Sequence, residues 1–441
     1  MKIFSRMCLA ATVCCALSLA RVAPADTLKE AVEQAVRSNP EVLASTNRRL
    51  AAHEAVKQAQ GGYFPRVDVN VARGRERLDS ADTRILGLRD VPFTRHDNVL
   101  TISQMLFDGF AVSSEVSRQQ ARVESSAYNV ASNAEDTALR AISAYLEVLR
   151  RQETVAAAQD NLDAHRRIHD MIRQRAEAGV GRRADVDQAQ SRLALAQANL
   201  RSEESSLRDA QVTYARIIGA PPGSLARPTA ADGDLRLAEK DTLATALANH
   251  PAIRGAEADV EVAEAQRSVA KAALSPRLDL ELTAIRDRDV VHGPTDDNIA
   301  MLRLRYNLFS GGSDSARIRQ AGFQIEEARE ILSRIRREVQ EALLQALNGY
   351  FTARDRLVSL KQYADSSGAT REAYLQQFSI GQRTLLDLLN SENEYFTARA
   401  SYITGGYAEM ASRYRVYAGM GQLLPTLGVP LPATALSAGE R

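Results

Sequence analysis

Four short stretches of the chain alternate apolar and polar residues with a period of two, and long proline-free stretches between them carry apolar residues at spacings of three and four. Val67, Val69 and Val71 face one way while Arg66, Asp68 and Asn70 face the other; Leu278, Leu280 and Leu282 oppose Arg277, Asp279, Glu281 and Thr283. Leu302, Leu304, Tyr306 and Leu308 oppose Arg303, Arg305 and Asn307, and Leu100, Ile102 and Leu106 oppose Thr101, Ser103 and Met105, with Gln104 out of pattern. The alternation predicts strands over about 65–74, 97–107, 276–286 and 298–309, near the roughly 9–11 residues of a membrane barrel strand. A sheet lying on a soluble core would alternate in the same way.

The helical pattern predicts helices over about 27–60 and 241–273, helical stretches over about 110–175 and 313–377, and further helices over about 183–218 and 384–420. Seam residues such as Ala141, Tyr145, Val148 and Leu149 include many alanines, so helices approach closely while each residue buries little. At 1.5 Å per residue, 65 residues make a rod of about 97 Å, which two helices of about 33–36 residues stacked end to end match. A tall coiled-coil assembly is expected.

The chain repeats itself. At a displacement of 211 residues, Asn39-Pro40 falls on His250-Pro251 and Phe64-Pro65-Arg66-Val67-Asp68-Val69 on Ser275-Pro276-Arg277-Leu278-Asp279-Leu280. At 202, Leu106-Phe107-Asp108-Gly109 falls on Leu308-Phe309-Ser310-Gly311, and Gly179 with Asp185 on Gly381 with Asp387. The reading is two copies of one plan, 26–220 and 236–421, joined by a linker at 221–235 that holds Pro221-Pro222-Gly223 and Pro228, with a flexible tail over 422–441. Pro65 and Pro276 mark the helix-to-strand transitions.

Two features favour a membrane for the strands. Tyr63, Phe64, Phe107, Phe110 and Phe309 gather where strands meet helices, as an interfacial girdle does, and the loops over about 75–96 and 286–297 are strongly polar. Four strands cannot close a barrel in lipid, where open edges are not tolerated. Two subunits would give eight strands, a barrel nearly filled by its own side chains; three give twelve and leave a bore. A trimer is therefore the smallest useful channel: a tall coiled-coil assembly joined to a 12-stranded transmembrane β-barrel shared by three subunits.

Composition narrows the chemistry. The 441 residues include three cysteines, Cys8, Cys14 and Cys15, all within a first segment (1–25) that reads as a signal peptide with a basic start, an apolar stretch and Ala23-Pro24-Ala25 as cleavage site. Its removal takes Lys2, Arg6 and Arg21 from 56 basic residues and leaves 53 against 55 acidic ones, a balance that suggests no nucleic-acid partner. A thiol-free exported chain would have no disulfides or Cys-bound metals. No phosphate loop, Ser-His-Asp order or carboxylate dyad emerges, so no enzyme, catalytic residue, metal or cofactor is expected. His165 and His169 lie four apart on a helix without the Glu of H-E-x-x-H and are expected on a solvated face. Arg73, Arg75 and Arg77 read as loop charges, with contact to lipopolysaccharide phosphate as the alternative.

With the duplicated plan, the strand starts YFPRVDV and SPRLDLEL, the strand exits QMLFDGF and YNLFSGG and the paired G-x5-D turns, the sequence resembles the TolC family of outer-membrane efflux proteins over nearly all of the exported chain. The resemblance implies a homotrimer with a 12-stranded β-barrel in the cell outer membrane and a long coiled-coil α-helical barrel as its periplasmic extension, whose tapered end meets a periplasmic adaptor and an inner-membrane ABC transporter, or alternatively a proton-driven pump. QMLFDGFAVSSEV and RAEAGVGRRADVDQAQSRL look like the branch serving type I secretion of large adhesin and RTX proteins; a small-molecule efflux pump is the alternative, and a periplasmic adaptor or scaffold a lesser one. The segment from Phe378 to Asn390 resembles the family's gate. Arg383 matches its gate Arg, Asp387 its inner acidic ring and Asp185 the partner of the Arg, while Phe378 stands in place of a gate Tyr and Asn390 in place of a second acidic ring. Gly179 and Gly381 mark the helix-turn tips. By spacing alone, Arg383 and Asp387 are one helical turn apart, which also describes a surface pair worth about 0.3–0.5 kcal/mol.

Overall fold

The structure, a computed structural model, describes residues 27–228 and 239–435, so the expected signal peptide with its cysteines, the later part of the linker and the last six residues lie outside it. The first repeat runs α1 (Leu28–Ser38), α2 (Pro40–Gln60), β1 (Arg66–Glu76), a short α3 (Ala81–Ile85), β2 (Phe93–Phe107), α4 (Ala111–Glu177) and α5 (Arg183–Ile218). The second runs α6 (Glu239–Asn249), α7 (Pro251–Ala272), β3 (Arg277–Asp289), β4 (Gly293–Arg305), α8 (Ser313–Ser379) and α9 (Leu385–Gly419), followed by α10 (Leu423–Leu427). Helices α4 and α8 have 67 residues each, rods of about 100 Å. No described helix is long and apolar enough to cross a membrane.

Each predicted 33-residue helix is in fact two. The break falls at the repeated X-Pro: proline lacks the N–H that would continue the ladder and keeps the residue before it extended. Asn39 (φ −67°, ψ 128°) and His250 (φ −63°, ψ 124°) then cap the second piece. The Asn39 Oδ1 accepts from the Glu41 N–H at 2.9 Å, and the His250 Nδ1 from the Ala252 N–H at 3.2 Å. Burial lowers the His250 pKa and keeps the ring in the neutral form that can accept.

The four strands form one antiparallel sheet in the order β1-β2-β3-β4, so the central seam, β2 with β3, joins the two repeats. All four run further toward the loops than the apolar alternation does, because ladder hydrogen bonds link backbones whatever the side chains. At the helical end β4 stops earlier than expected, at Arg305. Its partner strand begins at Arg277, after Pro276 has removed a donor, so Tyr306 to Phe309 leave the ladder. The out-of-pattern Gln104 sits beside a register shift between Met105 and Phe107, and its Nε2 donates to the Tyr63 carbonyl at 3.0 Å, tying strand to girdle.

Turns from strand to helix use the left-handed region in both repeats: Gly109 (φ 67°) and Phe110 (φ 66°), Gly311 (φ 65°) and Gly312 (φ 83°). A Cβ on Gly109 would lie 2.2 Å from the Ser275 Cβ, so only glycine fits there. Phe110 is held at its unfavourable φ by an edge-on contact with Phe107, ring centroids 5.8 Å apart.

The densest packing lies midway along the rod. Leu28, Val32 and Val36 of α1 meet Ile142, Tyr145 and Val148 of α4, Tyr214 and Ile218 of α5, and Tyr407 and Tyr414 of α9. Tyr145 donates to the Ala226 carbonyl at 2.6 Å and so fastens the start of the linker to this belt. The expected flexible tail is packed as far as it is described: Leu423 and Leu424 are fully buried in the belt, and Val429 and Ala435 are buried too. Its anchor is Glu135, whose two carboxyl oxygens accept from the Leu423 and Leu424 N–H groups at 3.0 and 3.1 Å. No hydrophobic periodicity announces a five-residue helix, so the packing of 423–427 was not legible.

Glu135 is only 6% exposed, and burial raises its pKa to about 7 against the pull of the two N–H donors, with Asp136 adding to the rise. The folded-state value exceeds the unfolded one, so this carboxyl favours the folded state when protonated, and that contribution is lost as the pH rises through about 7. The thermal midpoint of the purified protein should fall between about pH 5 and about pH 8, by the equivalent of roughly 3 kcal/mol. Glu135→Gln should flatten that dependence in the same scan.

Candidate functional site

The two helical hairpins end in the same turn. Gly179 (φ 78°) and Gly381 (φ 79°) take the left-handed conformation; behind them the Val180 N–H reaches the Arg175 carbonyl at 3.0 Å and the Gln382 N–H the Gln377 carbonyl at 2.9 Å. This six-to-one closure uses carbonyls that α4 and α8 leave without helical partners. Thr384 then caps α9 in a capping box, with the Asp387 N–H donating to its Oγ1 and the Thr384 N–H donating to the Asp387 Oδ2 at 3.3 Å.

Arg383 sits on this turn among three partners. Its Nε donates to the Gln377 Oε1 at 2.9 Å, its guanidinium lies 4.2 Å from the Tyr374 ring centroid, and its Nη1 is 4.0 Å from the Asp387 Oδ2 with the two side chains 38% and 39% exposed. The Thr384 hydroxyl and N–H, and then the Arg383 charge, lower the Asp387 pKa, so it carries its charge at neutral pH. Asp185 occupies the matching position in the first hairpin; among the described residues it makes no ion pair, and within one chain it does not meet Arg383. Asn390 accepts from the Arg192 Nη2 of the first hairpin at 3.4 Å.

Phe378 faces away from solvent. It is buried with Leu385, Leu388 and Leu389 of its own hairpin against Ile168, Ile172 and Ala189 of the other, and the Arg175 guanidinium stacks 4.9 Å from its ring. A Tyr hydroxyl at this position would need a buried partner; Phe needs none. His165 is a correction: it is not on a solvated face but 4% exposed among the helices, where burial and the Arg192 charge lower its pKa. His169 is not on a solvated face either: its side chain is only 12% exposed, with Nδ1 3.4 Å from the Asp170 Oδ1. Tyr374, Gln377 and Arg175 were not anticipated. Arg175 and Gln377 hold equivalent places at the 202-residue displacement, which was the available signal.

At the other end, Pro65 and Pro276 deliver the chain from α2 and α7 into β1 and β3. Tyr63, Phe64, Phe107, Phe110 and Phe309 all stay exposed along the helical rim of the sheet, as a lipid-interface girdle requires. Val67, Val69 and Val71 are likewise exposed on a face that carries no core. A single chain therefore presents an apolar sheet face and two unpaired edges, β1 and β4.

A family model described as outer membrane efflux protein matches residues 31–220 and 242–422. The chain belongs to that family. It is 25% identical over 91% of its length to the outer membrane efflux protein BepC of Brucella suis, covering 87% of that protein. It is also 25% identical over 88% of its length to the alkaline protease secretion protein AprF of Pseudomonas aeruginosa, covering 83% of it. Its fold matches the Campylobacter jejuni CmeC outer membrane channel with a TM-score of 0.79 at 14% identity, over 90% of this chain and 86% of that one. Proteins of this family are outer-membrane channels, not enzymes. TolC-like members work as homotrimers with an adaptor and an inner-membrane transporter. Four strands per chain thus become a twelve-stranded barrel continued by long periplasmic helices.

The buried contact between hairpins generates a test. Phe378→Ala should loosen the tips by about 3–5 kcal/mol, the usual cost of deleting a buried Phe, and speed hydrogen exchange across residues 378–389. Arg175→Ala removes only the stacked cation, worth about 0.5–1 kcal/mol, and should change that exchange little.

Proposed function

We propose that this chain is the outer-membrane duct of a type I secretion system, which passes large proteins from an inner-membrane ABC transporter and its adaptor to the exterior. The observation that carries the channel reading is the four-stranded sheet with an apolar outer face, a charged inner face and two open edges. The cargo reading is supported by the similarity to a protein named for alkaline protease secretion and by the segments 104–116 and 175–193. A tripartite small-molecule pump is the second reading, favoured by the efflux name of the Brucella relative.

In this proposal the tips hold the duct closed at rest. Asp185 is half-buried and has no ion pair among the described residues of its own chain, while Arg383 is held at the adjoining turn by Gln377 and Tyr374. An Arg383 to Asp185 contact between neighbouring hairpins of the trimer would latch them, and Asp387, repeated three times around the axis, would form a ring that attracts cations. A docked transporter opens the duct by binding the open form better than the closed one.

Deleting the gene should remove a large secreted protein from the medium and leave drug tolerance intact; the converse result selects the pump. In single-channel recordings Arg383→Ser and Asp185→Ala should each raise resting conductance severalfold, and unchanged conductance in both rejects the latch. Asp387→Asn should weaken block by divalent cations.

A further inference from the structure

The register of the sheet turns two arginines expected in a loop into part of a patch. Arg73 and Arg75 lie within β1, and Arg73, His96 and Arg288 are directly opposite one another across β1, β2 and β3. Two residues nearer the helices the same face carries Val71, Asn98 and Arg286, and beyond them Val69, Leu100 and Ala284, then Val67, Ile102 and Leu282. Side chains two apart on a strand share a face, so the lipid-facing surface changes from apolar to basic within two rows. Arg73 and Arg288 are two strand spacings apart, about 10 Å, and Arg286 and Arg288 about 7 Å along one strand.

The two faces of the sheet treat their charges differently. On the inner face each arginine near the helices has an acid: Arg66 with Asp68 at 2.8 Å, Arg277 with Asp279 at 3.0 Å, Arg303 with Glu281 at 2.7 Å. On the outer face Arg73, Arg75 and Arg288 make no ion pair among the described residues; Arg288, at the loop end of β3, reaches over the strand end to the ring of Phe93, which opposes Glu76 on the inner face, at 5.1 Å. Arg286 alone has an acid, Asp296, at 3.6 Å, and its side chain stays 79% exposed. Unneutralised like charges this close repel one another, and they sit at the depth where the hydrocarbon ends and lipid headgroups begin.

We infer that Arg73, Arg75, Arg286 and Arg288 bind the phosphorylated headgroup of an outer-leaflet lipid. Guanidinium forks suit phosphate oxygens, the apolar rows below receive the acyl chains, and the span of the patch lets one headgroup with two phosphates bridge β1 and β3.

The test is native mass spectrometry of the purified trimer titrated with bis-phosphorylated lipid A, with lipid A stripped of phosphate, and with inorganic phosphate as competitor. Wild type should retain the phosphorylated lipid at least tenfold better than the stripped one. The triple variant Arg73→Gln, Arg286→Gln, Arg288→Gln should lose that preference and still take up the stripped lipid as wild type does, whereas Arg303→Gln on the inner face should keep it. Equal retention of both lipids by wild type, or an undiminished preference in the triple variant, overturns the inference. So does displacement of the lipid by millimolar inorganic phosphate, which would mark a plain anion site. Should the triple Gln variant fail to trimerise, the wild-type comparison and the single variants Arg73→Gln and Arg286→Gln decide: an undiminished preference in both overturns the assignment, and a reduced preference in each supports it.

Discussion

A backbone N–H or C=O facing hydrocarbon has no water to bond, and each such group left unpaired costs several kcal/mol. The sheet of this chain has two edges in that position, β1 with 11 residues and β4 with 13. Neither can be satisfied within one chain, because four strands are too few for β1 to curl round and pair with β4. Closure by identical neighbours follows, and with it a cylinder whose periplasmic continuation is set by the same repeat, since α2 and α7 lead into β1 and β3 while α4 and α8 leave β2 and β4. The channel is a result of that unmet hydrogen-bonding demand.

Stability is distributed unevenly along the rod. The belt gathers large buried side chains from α1, α4, α5, α9 and α10 around Tyr145 and Tyr214, and it fastens both the linker and the carboxyl-terminal segment. The tips rest on a smaller cluster around Phe378 and on exposed polar contacts around Arg383. Regions with fewer buried apolar contacts open at lower free-energy cost. The opening proposed at the tips would draw on this gradient, which packing supplies without a separate hinge.

Much of this was legible because period and duplication are strong signals. The alternation at Val67 to Val71 and Leu278 to Leu282 placed β1 and β3, and the doubled Gly turns placed the tips. What escaped has physical reasons. Helix breaks at Asn39-Pro40 and His250-Pro251 were visible as matching dipeptides, yet the flanking periodicity continues through them and hides the change of direction. Strand ends above the lipid were missed because backbone pairing needs no apolar pattern. Partners of Arg383 depend on rotamers around a turn, so spacing could show Asp387 but not Tyr374 or Gln377. Burial of His165 depends on which face of α4 the other helices cover, and one helix read alone does not contain that information.

The central seam of the sheet has a temporal meaning. Because β2 finds its second neighbour only in β3, the membrane part of the molecule stays a lone hairpin until more than half of the polypeptide has been exported, and two-stranded ribbons have little stability by themselves. The amino-terminal half therefore has to wait, undocked, for its own carboxyl-terminal half. A product cut short between the repeats holds β1 and β2 but neither β3 nor β4, so it has no complete sheet to offer an assembling ring. Full-length synthesis is in this way a checkpoint written into strand order, ahead of any recognition between subunits.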